Sequence, residues 1–467
     1  MKELVDAANN LMWGSLLIWL LLGAGVLFTV ISGFIQLRHF AHTFGVMKRS
    51  FRREHGGISS FEAYCTSLGA RVGTGNLAGV AVALELGGPG AVFWMWVTAM
   101  LGMATSFFES TLAQLFKVPN GDGSYRGGPA FYMQYGLGKR WMGVLFSVFL
   151  IMAYPIAFNG VQSNTMAAAV AEVTGIGTAW TGVLTAFLVG LVVFGGIRRI
   201  SRVAEIVVPF MALAYLAMAL WLVATHAGQL PGVFRLVIES AFGIGEAAGG
   251  VLGYGIAQAL MNGVRRGLFS NEAGSGSAPI AAATADVRHP ASQGYVQMLG
   301  VFTDTIVICT CTAAIILLSG QFEAGAGLTG MALTQGAMSA LVGDWGAGFM
   351  TVALLFFAFT SIMANTYYGE TSLAFIRSDA RLVTIYRCIV LLGIFAGSQL
   401  DLPLVWAIAD LSMGFMTIVN LIAVLLLAGL VIKVMRDYND QLAFHVEPVF
   451  DVSRHPEIQR RLPGGGW

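Results

Sequence analysis

Two apolar segments are interrupted by glycines that lie beside arginine and asparagine, and these residues suit the binding of small charged groups. The first segment reads GARVGTGNLAG (69–79) and the second GVRRGLFSNEAG (263–274). Both follow the pattern G-x-R-x-G, two or three further residues, and N-x-A-G. A helix unwound at such a point exposes carbonyl oxygens to a small cation and N–H groups to a carboxylate. The pattern therefore predicts two broken helices that together form a binding site.

Close helix packing is the competing interpretation of these glycines. Gly75 and Gly79 are four residues apart, a spacing that lets two membrane helices approach each other closely. Packing explains the spaced glycines but not the arginine and asparagine beside them at membrane depth. We therefore favour broken helices.

The elements that position these breaks are membrane spans. Of the 467 residues, 56% are hydrophobic and only 11% are charged, against about 25% charged in a soluble domain. The net charge of +1 provides no positive field for nucleic acid. All four cysteines fall in apolar stretches and are expected to be buried thiols without disulfides. The chain is predicted to be an all-α polytopic protein of the lipid bilayer.

Hydropathy predicts about eleven transmembrane helices and two surface helices, 228–243 and 324–342. The spans are 11–37, 59–85, 91–116, 142–170, 178–196, 203–225, 247–284, 294–319, 347–376, 383–399 and 403–434. Lysine and arginine concentrate in every second connection, whereas the opposite side carries only Lys2 and Arg235. This bias predicts a multi-pass protein of the cell (inner) membrane, with its N-terminus outside and its C-terminus in the cytoplasm.

Interrupted segments in two halves of opposite direction are typical of secondary transporters built from inverted repeats. The sequence accordingly predicts four regions. They are an extra N-terminal helix with a basic cytoplasmic loop (1–57), a first five-helix repeat (58–227), a second five-helix repeat with external surface helices (228–436), and a cytoplasmic tail (437–467).

Five stretches resemble the alanine or glycine:cation symporter family. They are GTGNLAGVAVALELGGPGAVFWMW (73–96), YRGGPAFYM (125–133), GVQSN (160–164), RGLFSNEAGSGSAPIAAA (266–283) and YYGE (367–370). The resemblance implies a leucine-transporter-like (LeuT-like) core of two inverted five-helix repeats after one extra helix. It also implies sodium-driven uptake of alanine or glycine, with sodium as the co-transported ion.

The resemblance also implies a sodium site. Its ligands would be backbone carbonyls of the first break and of span 347–376, together with a hydroxyl pair in that span: Gly69, Val72, Phe357, Thr360 and Ser361. Hydroxyl and carbonyl oxygens without a full carboxylate suit a monovalent ion. Hydrogen bonding of the two hydroxyls within their own helix is the alternative.

Seven residues would contact the substrate by the same resemblance. Those of the first break would bind its carboxylate, and the others would complete and wall the pocket: Thr74, Gly75, Asn76, Gln162, Phe269, Ser270 and Asn271. Gln162 has an interhelical hydrogen bond as its alternative role. Phe269 either limits the size of the substrate side chain or simply packs.

Two stretches depart from the family. YPIAFNG has Pro155 and Asn159 before Gln162, and MANTYYGE has Asn365 and Thr366 before its tyrosines. Both departures leave open which amino acid is preferred.

Charged residues at membrane depth are candidates for function. Glu272, beside the second break, is expected either to clamp unwound backbone, to pair with Arg71 or Arg265, or to carry a proton. Arg265 and Arg266 are expected to gate the cytoplasmic exit or to extend to the interface. Asp304 lies alone in an apolar span and receives no assignment.

Four other functions compete with sodium symport, among them a channel, which would show no uphill accumulation. Proton-coupled transport of small amino acids is the closest, and an amino-acid-binding membrane sensor is a different class, for which the tail is short. A membrane-embedded enzyme is disfavoured because the sequence contains neither G-x-S-x-G nor H-E-x-x-H. The sequence predicts no oligomeric state.

Overall fold

The computed structural model describes residues 2–51, 56–121, 123–243, 251–323, 327–400, 402–464 and 467. In this part of the chain nearly all regular structure is helical. The helices are α1 (2–31), α2 (Ile35–Arg38), α3 (Phe40–Arg49), α4 (Ser60–Arg71), α5 (Gly75–Gly87), α6 (Gly90–Leu115), α7 (Pro129–Tyr135), α8 (Arg140–Thr174), α9 (Thr178–Val193), α10 (Gly196–Thr225), α11 (Leu230–Phe242), α12 (Val251–Asn271), α13 (Ala278–Ala282), α14 (Pro290–Leu318), α15 (Gly330–Val342), α16 (Trp345–Ile376), α17 (Ala380–Gly397), α18 (Leu402–Ala443) and α19 (Pro456–Gln459). Strands β1 (Val118–Pro119) and β2 (Tyr125–Arg126) form one short antiparallel pair.

Eight of the described helices are long and apolar enough to cross a membrane: α1, α6, α8, α10, α14, α16, α17 and α18. They coincide with eight of the eleven predicted spans. The other three predicted spans appear as the interrupted pair α4 and α5, the short helix α9, and the interrupted pair α12 and α13. The predicted surface helices appear as α11 and α15, and residues 244–250 and 324–326 lie outside the described part.

Helix α6 lies at the centre of the bundle and packs against both α12 and α14. Small residues make this close approach possible. A Cβ on Gly263 of α12 would lie 2.5 Å from the carbonyl oxygen of Ala91, and one on Gly102 would lie 2.9 Å from Cβ of Ala273. Helices α10 and α17 form the periphery, where their apolar side chains are largely exposed. Cys388 of α17 is exposed, so the expectation that all four cysteines are buried is wrong at this position.

Four described helices contain a π-helical turn, in which hydrogen bonds span one residue more than in an α-helix. These turns are Met12–Leu17 in α1, Gly75–Gly79 in α5, Met152–Phe158 in α8 and Phe302–Cys309 in α14. The turn in α8 contains Pro155, which has no N–H to donate to the preceding helical turn. Three of the four turns lie in helices that surround the two breaks.

The C-terminal residues fold back onto one end of the bundle. Helix α18 continues to Ala443, beyond the predicted limit of 434, because the polar residues after it remain helical. Near this end Asp437 lies 3.0 Å from Nε2 of His289, and the indole N–H of Trp467 donates to the carbonyl of Gln114 (3.0 Å). The predicted terminal extension is therefore packed against the helices where the structure describes it.

Candidate functional site

The first break separates α4 from α5. Helix α4 begins with a capping box, in which the Ser59 hydroxyl accepts from the N–H of Glu62 while the Glu62 carboxylate accepts from the N–H of Ser59. It ends at Arg71, and Val72 turns into an extended conformation (φ −76°, ψ 92°). The break is fully buried, so its backbone groups must find partners inside the protein.

The five oxygens predicted to bind sodium lie together across this break. The Ser361 hydroxyl of α16 is 2.9 Å from the carbonyl oxygen of Gly69, 3.3 Å from that of Val72 and 3.0 Å from that of Phe357. The Thr360 hydroxyl is 3.0 Å from the Phe357 carbonyl and 3.3 Å from the Gly69 carbonyl. The contacts to Phe357 match the alternative of bonding within the helix, but those to Gly69 and Val72 connect α16 to the break.

Gln162 of α8 contacts the other side of the same break. Its side-chain oxygen Oε1 accepts a hydrogen bond from the backbone N–H of Thr74 (3.0 Å). The interhelical hydrogen bond given as its alternative role is therefore present. Its acceptor oxygen is bound by one of the N–H groups predicted to meet a substrate carboxylate.

The second break lies between α12 and α13 and has three residues with positive φ. Gly274 (φ 93°) and Gly276 (φ 87°) adopt this conformation readily, whereas Glu272 (φ 58°) does so at a cost of about 1 kcal/mol or more. The Glu272 carboxylate accepts from the hydroxyl of Ser277 (2.7 Å), so it spans the unwound turn. Glu109 of α6 accepts from the N–H of Gly274 (3.1 Å). Two buried carboxylates thus hold the second break, as the clamp interpretation of Glu272 predicts.

The asparagine of the shared N-x-A-G pattern has similar contacts in both breaks. Asn76 Oδ1 accepts from the N–H of Gly73 (2.9 Å), and Asn271 Oδ1 accepts from the N–H of Ala273 (3.0 Å). The amide group of Asn271 also donates to the hydroxyl of Thr305 (3.2 Å). Each asparagine therefore satisfies the unwound backbone next to it and reaches toward α14.

Asp304 of α14 connects the two breaks, a role that sequence analysis did not assign. Its carboxylate accepts from Nδ2 of Asn76 (2.7 Å), from the Ser270 hydroxyl (2.7 Å) and from the Thr305 hydroxyl (2.8 Å). The sequence signal was an acidic residue in an apolar span. Asn76 and Ser270 lie 228 and 34 residues away in the chain, so only the folded structure identifies them as partners.

Aromatic rings form one wall beside the breaks. The ring of Phe269 stacks on that of Phe158 (centroids 4.3 Å apart) and lies 4.6 Å from that of Trp406. A Cβ on Gly75 would lie 3.2 Å from Cδ1 of Phe269, so this ring closes directly on the first break. The two expectations for Phe269, a wall and a packed ring, are compatible with this geometry.

The arginines near the breaks are paired elsewhere. Arg71 donates to the carbonyl of Gln297 (3.1 Å) and to the hydroxyl of Ser106 (3.3 Å). Arg265 and Arg266 form a buried ion pair with Asp410 near the beginning of α18 (2.6 and 3.1 Å).

This ion pair lies at the end of the bundle opposite the C-terminal tail. Asp410 lies about 40 Å along α18 from Asp437, which contacts the end that carries His289 and the tail. A gate formed by Arg265 and Arg266 at the cytoplasmic exit and a cytoplasmic C-terminal tail, both predicted from the sequence, therefore exclude each other, because the arginines lie at the end opposite the tail. Both arginines pair with a buried carboxylate, and the side chain of Arg265 remains 15% exposed.

The chain is similar to known proteins over most of its length. A model of the sodium:alanine symporter family matches residues 1–452. A probable sodium/glutamine symporter of Bacillus subtilis is 47% identical over 96% of this chain and 93% of its own length. A sodium/alanine symporter of Methanococcus maripaludis is 40% identical over 94% and 97%. A mutant manganese transporter of Eremococcus coleocola shares the fold, with a TM-score of 0.53 over 87% of this chain and 92% of that one at 12% identity. The chain belongs to the sodium:alanine symporter family, whose members are membrane transporters and not enzymes.

Proposed function

We propose that the protein carries out sodium-coupled symport of alanine and glycine into the cell by alternating access. In this proposal the chain crosses the membrane eleven times, with its N-terminus outside and its C-terminus in the cytoplasm. Helix α1 precedes two inverted five-helix repeats of the LeuT-like type, whose first helices are the broken pairs α4–α5 and α12–α13. The names of the two relatives support sodium coupling, since both include sodium.

One observation supports the proposal most directly: the Ser361 hydroxyl lies near more acceptor oxygens than it has hydrogens to donate. This hydroxyl has a single hydrogen, yet three carbonyl oxygens lie within 3.3 Å of it. Oxygens that converge without enough donors repel one another and favour a cation between them. With Thr360, these groups supply the five ligands Gly69, Val72, Phe357, Thr360 and Ser361 to sodium.

The substrate carboxylate binds next to the sodium ion. It replaces Oε1 of Gln162 as the acceptor for the Thr74 N–H, and Gly75 adds a second N–H at the start of α5. The released Gln162 oxygen then accepts from the substrate ammonium. Asn76, Ser270 and Asn271 hold the two breaks in this conformation, and Phe269 closes the pocket.

Coupling follows from the shared backbone. The carbonyl of Val72 faces the sodium site and the N–H of Thr74 faces the carboxylate, two residues apart in one unwound turn. Either ligand orders this turn when it binds, so the second ligand loses less conformational entropy on binding. Each ligand therefore raises the affinity for the other.

The test is uptake of radiolabelled alanine into proteoliposomes with and without an inward sodium gradient. We expect sodium-dependent accumulation, and we expect Ser361→Ala to raise the sodium concentration for half-maximal uptake about 10-fold or more, as for the loss of a charge-assisted contact. Ser372→Ala is the matched control, because it removes an equally buried hydroxyl from the same helix. Uptake that is independent of the sodium gradient but driven by a proton gradient would show that the coupling ion is the proton and not sodium. Uptake that is unaffected by Ser361→Ala would remove this sodium site from the proposal.

A further inference from the structure

A cluster of polar side chains lies between α8 and α16 at the depth of the proposed site. Nδ2 of Asn365 donates to Oδ1 of Asn159 (3.1 Å), and Nδ2 of Asn159 donates to the hydroxyl of Thr366 (3.4 Å). That hydroxyl donates to the carbonyl of Ile362 (2.7 Å). The three polar side chains are fully buried. Asn159, Asn365 and Thr366 are three of the four residues by which the sequence departs from the family, the fourth being Pro155.

The cluster lies one helical turn from the first break. Asn159 precedes Gln162 by three residues on α8, and Asn365 follows Ser361 by four residues on α16, so each pair shares a helix face. Gln162 and Ser361 both border Gly73, since a Cβ there would lie 2.8 Å from Nε2 of Gln162 and 2.5 Å from the Ser361 hydroxyl. A group that enters the site at the break therefore meets Asn365 about one turn, roughly 5 Å, farther along.

One polar atom of the Asn365 side-chain amide lacks a hydrogen-bond partner in the described part of the chain. Its Oδ1 is buried without a hydrogen-bond partner among the described residues, although the residue is only 1% exposed. A buried acceptor without a partner is destabilising, because it has lost its hydrogen bonds to water. If the oxygen and nitrogen positions of both asparagine side chains are exchanged, the direction of these hydrogen bonds is reversed. Nδ2 of Asn365, instead of Oδ1, is then the atom without a partner. In either arrangement Asn365 presents one unused polar atom.

A carboxamide complements this atom in both arrangements, because it carries an N–H donor and a C=O acceptor. A methyl group such as that of alanine complements neither. A side chain of two methylenes and a carboxamide also spans about one helical turn, the separation between the break and Asn365. The chemistry that fits is therefore the side chain of glutamine, better than the shorter side chain of asparagine.

We propose that Asn365, held in place by Asn159, is a specificity-determining residue that binds the carboxamide of a glutamine substrate. This inference rests on the proposed function for the binding of the amino and carboxylate groups. It adds the contact that distinguishes glutamine from an apolar amino acid of similar length. Alanine occupies the same backbone site and leaves Asn365 unused.

The test measures inhibition of sodium-driven alanine uptake by glutamine, asparagine and methionine in proteoliposomes. For the wild type we expect glutamine to inhibit at a concentration about 10-fold or more below methionine. The readout for variants is the ratio of the glutamine inhibition constant to the alanine half-saturation constant, because a general loss of transport leaves this ratio unchanged. Asn365→Leu should raise the ratio about 10-fold, and Asn365→Ser provides the same test if the leucine variant does not fold.

Asn164→Ala is the matched control for a buried amide on α8, because Asn164 bonds to α17 and to the chain after it. Its ratio should equal that of the wild type. Equal inhibition of wild type by glutamine and methionine overturns the proposal, as does an unchanged ratio in both Asn365 variants. Stabilisation of the purified protein by glutamine against heat is measured in parallel without a gradient. The two proposals can therefore fail separately. If glutamine stabilises the wild type but not the Asn365 variants, and no sodium-driven uptake is found, this inference is supported while the proposed function fails.

Discussion

The ion pair of Asp410 with Arg265 and Arg266 predicts a large loss of stability when its single carboxylate is neutralised. The Asp410 side chain is 2% exposed, and those of Arg265 and Arg266 are 15% and 6% exposed. Replacing Asp410 with asparagine keeps the shape but leaves two neighbouring guanidinium groups without a counter-charge. The ring of Trp406, 4.6 Å from the Arg266 guanidinium, offers only a weaker contact in compensation.

The size of the loss follows from burial. Breaking a buried ion pair by removing one partner costs about 3–5 kcal/mol, because the remaining charge is desolvated without compensation. The partial exposure of Arg265 places the Asp410→Asn variant near the lower end, at about 3 kcal/mol. Asp451→Asn is the control, since its partner Arg454 is 66% exposed and such surface pairs contribute less than about 1 kcal/mol.

The assay is denaturant unfolding of the purified protein in detergent micelles for the wild type and both single variants. A double variant, Asp410→Asn with Arg266→Gln, completes the comparison. Because the second change removes one of the stranded charges, the double variant should be more stable than the sum of the two single losses predicts. A loss for Asp410→Asn no larger than that for Asp451→Asn would refute the reasoning, as would strictly additive losses.

Two further predictions concern the first break and acid stability. Gly73→Ala should raise the sodium concentration for half-maximal uptake about 10-fold or more, because the new Cβ would lie 2.5 Å from the hydroxyl of Ser361. Gly79→Ala is the control and should change uptake little, since a Cβ on Gly79 would meet no atom closer than 3.7 Å. Equal effects of the two substitutions on uptake would contradict this. Burial, followed by nearby positive charge, lowers the pKa of His42 to about 4 from 6.5, so between these values the unfolded chain binds a proton that the folded chain does not. The melting temperature should therefore fall as the pH drops from about 6.5 to 4, and His42→Gln should flatten the profile; parallel profiles for the two proteins would refute the assignment to His42.

The parts of the site that could be predicted are those with a local signal. Glycines that interrupt an apolar run at Gly69 and Gly73 mark a break wherever the helix lies. The adjacent hydroxyls of Thr360 and Ser361 also stand out within one span. Family resemblance connected the two stretches, and the structure brings their oxygens within hydrogen-bond distance. Their role as sodium ligands stays a prediction.

The parts that could not be predicted depend on partners far apart in the chain. Asp304 was visible as an acid in an apolar span, but its link to Asn76 joins residues 228 positions apart. Asn159 and Asn365 were noticed as departures, while their mutual hydrogen bond spans 206 positions. Hydropathy reports how deep a residue lies but not which helix it faces. For the same reason the sequence did not identify Asp410 as the partner of Arg265, 145 positions before it, and this pairing shows at which end of the bundle Arg265 lies.

The π-helical turn at Met152–Phe158 has a consequence for how related sequences can differ in length. Such a turn holds one residue more than an α-helical turn, so deleting a single residue there would leave a continuous helix still long enough for its span. Because only the extra residue is lost, the segments on both sides of the turn would keep their faces, and Gln162 would still face the first break. A deletion in the α-helical part of α8 before Gln162 would instead rotate the later part by about 100° and turn Gln162 away. Within this turn one lost codon would thus preserve both the membrane span and the orientation of Gln162. Gaps of one residue between relatives should therefore fall within Met152–Phe158 rather than in the α-helical part of α8 that follows it before Gln162.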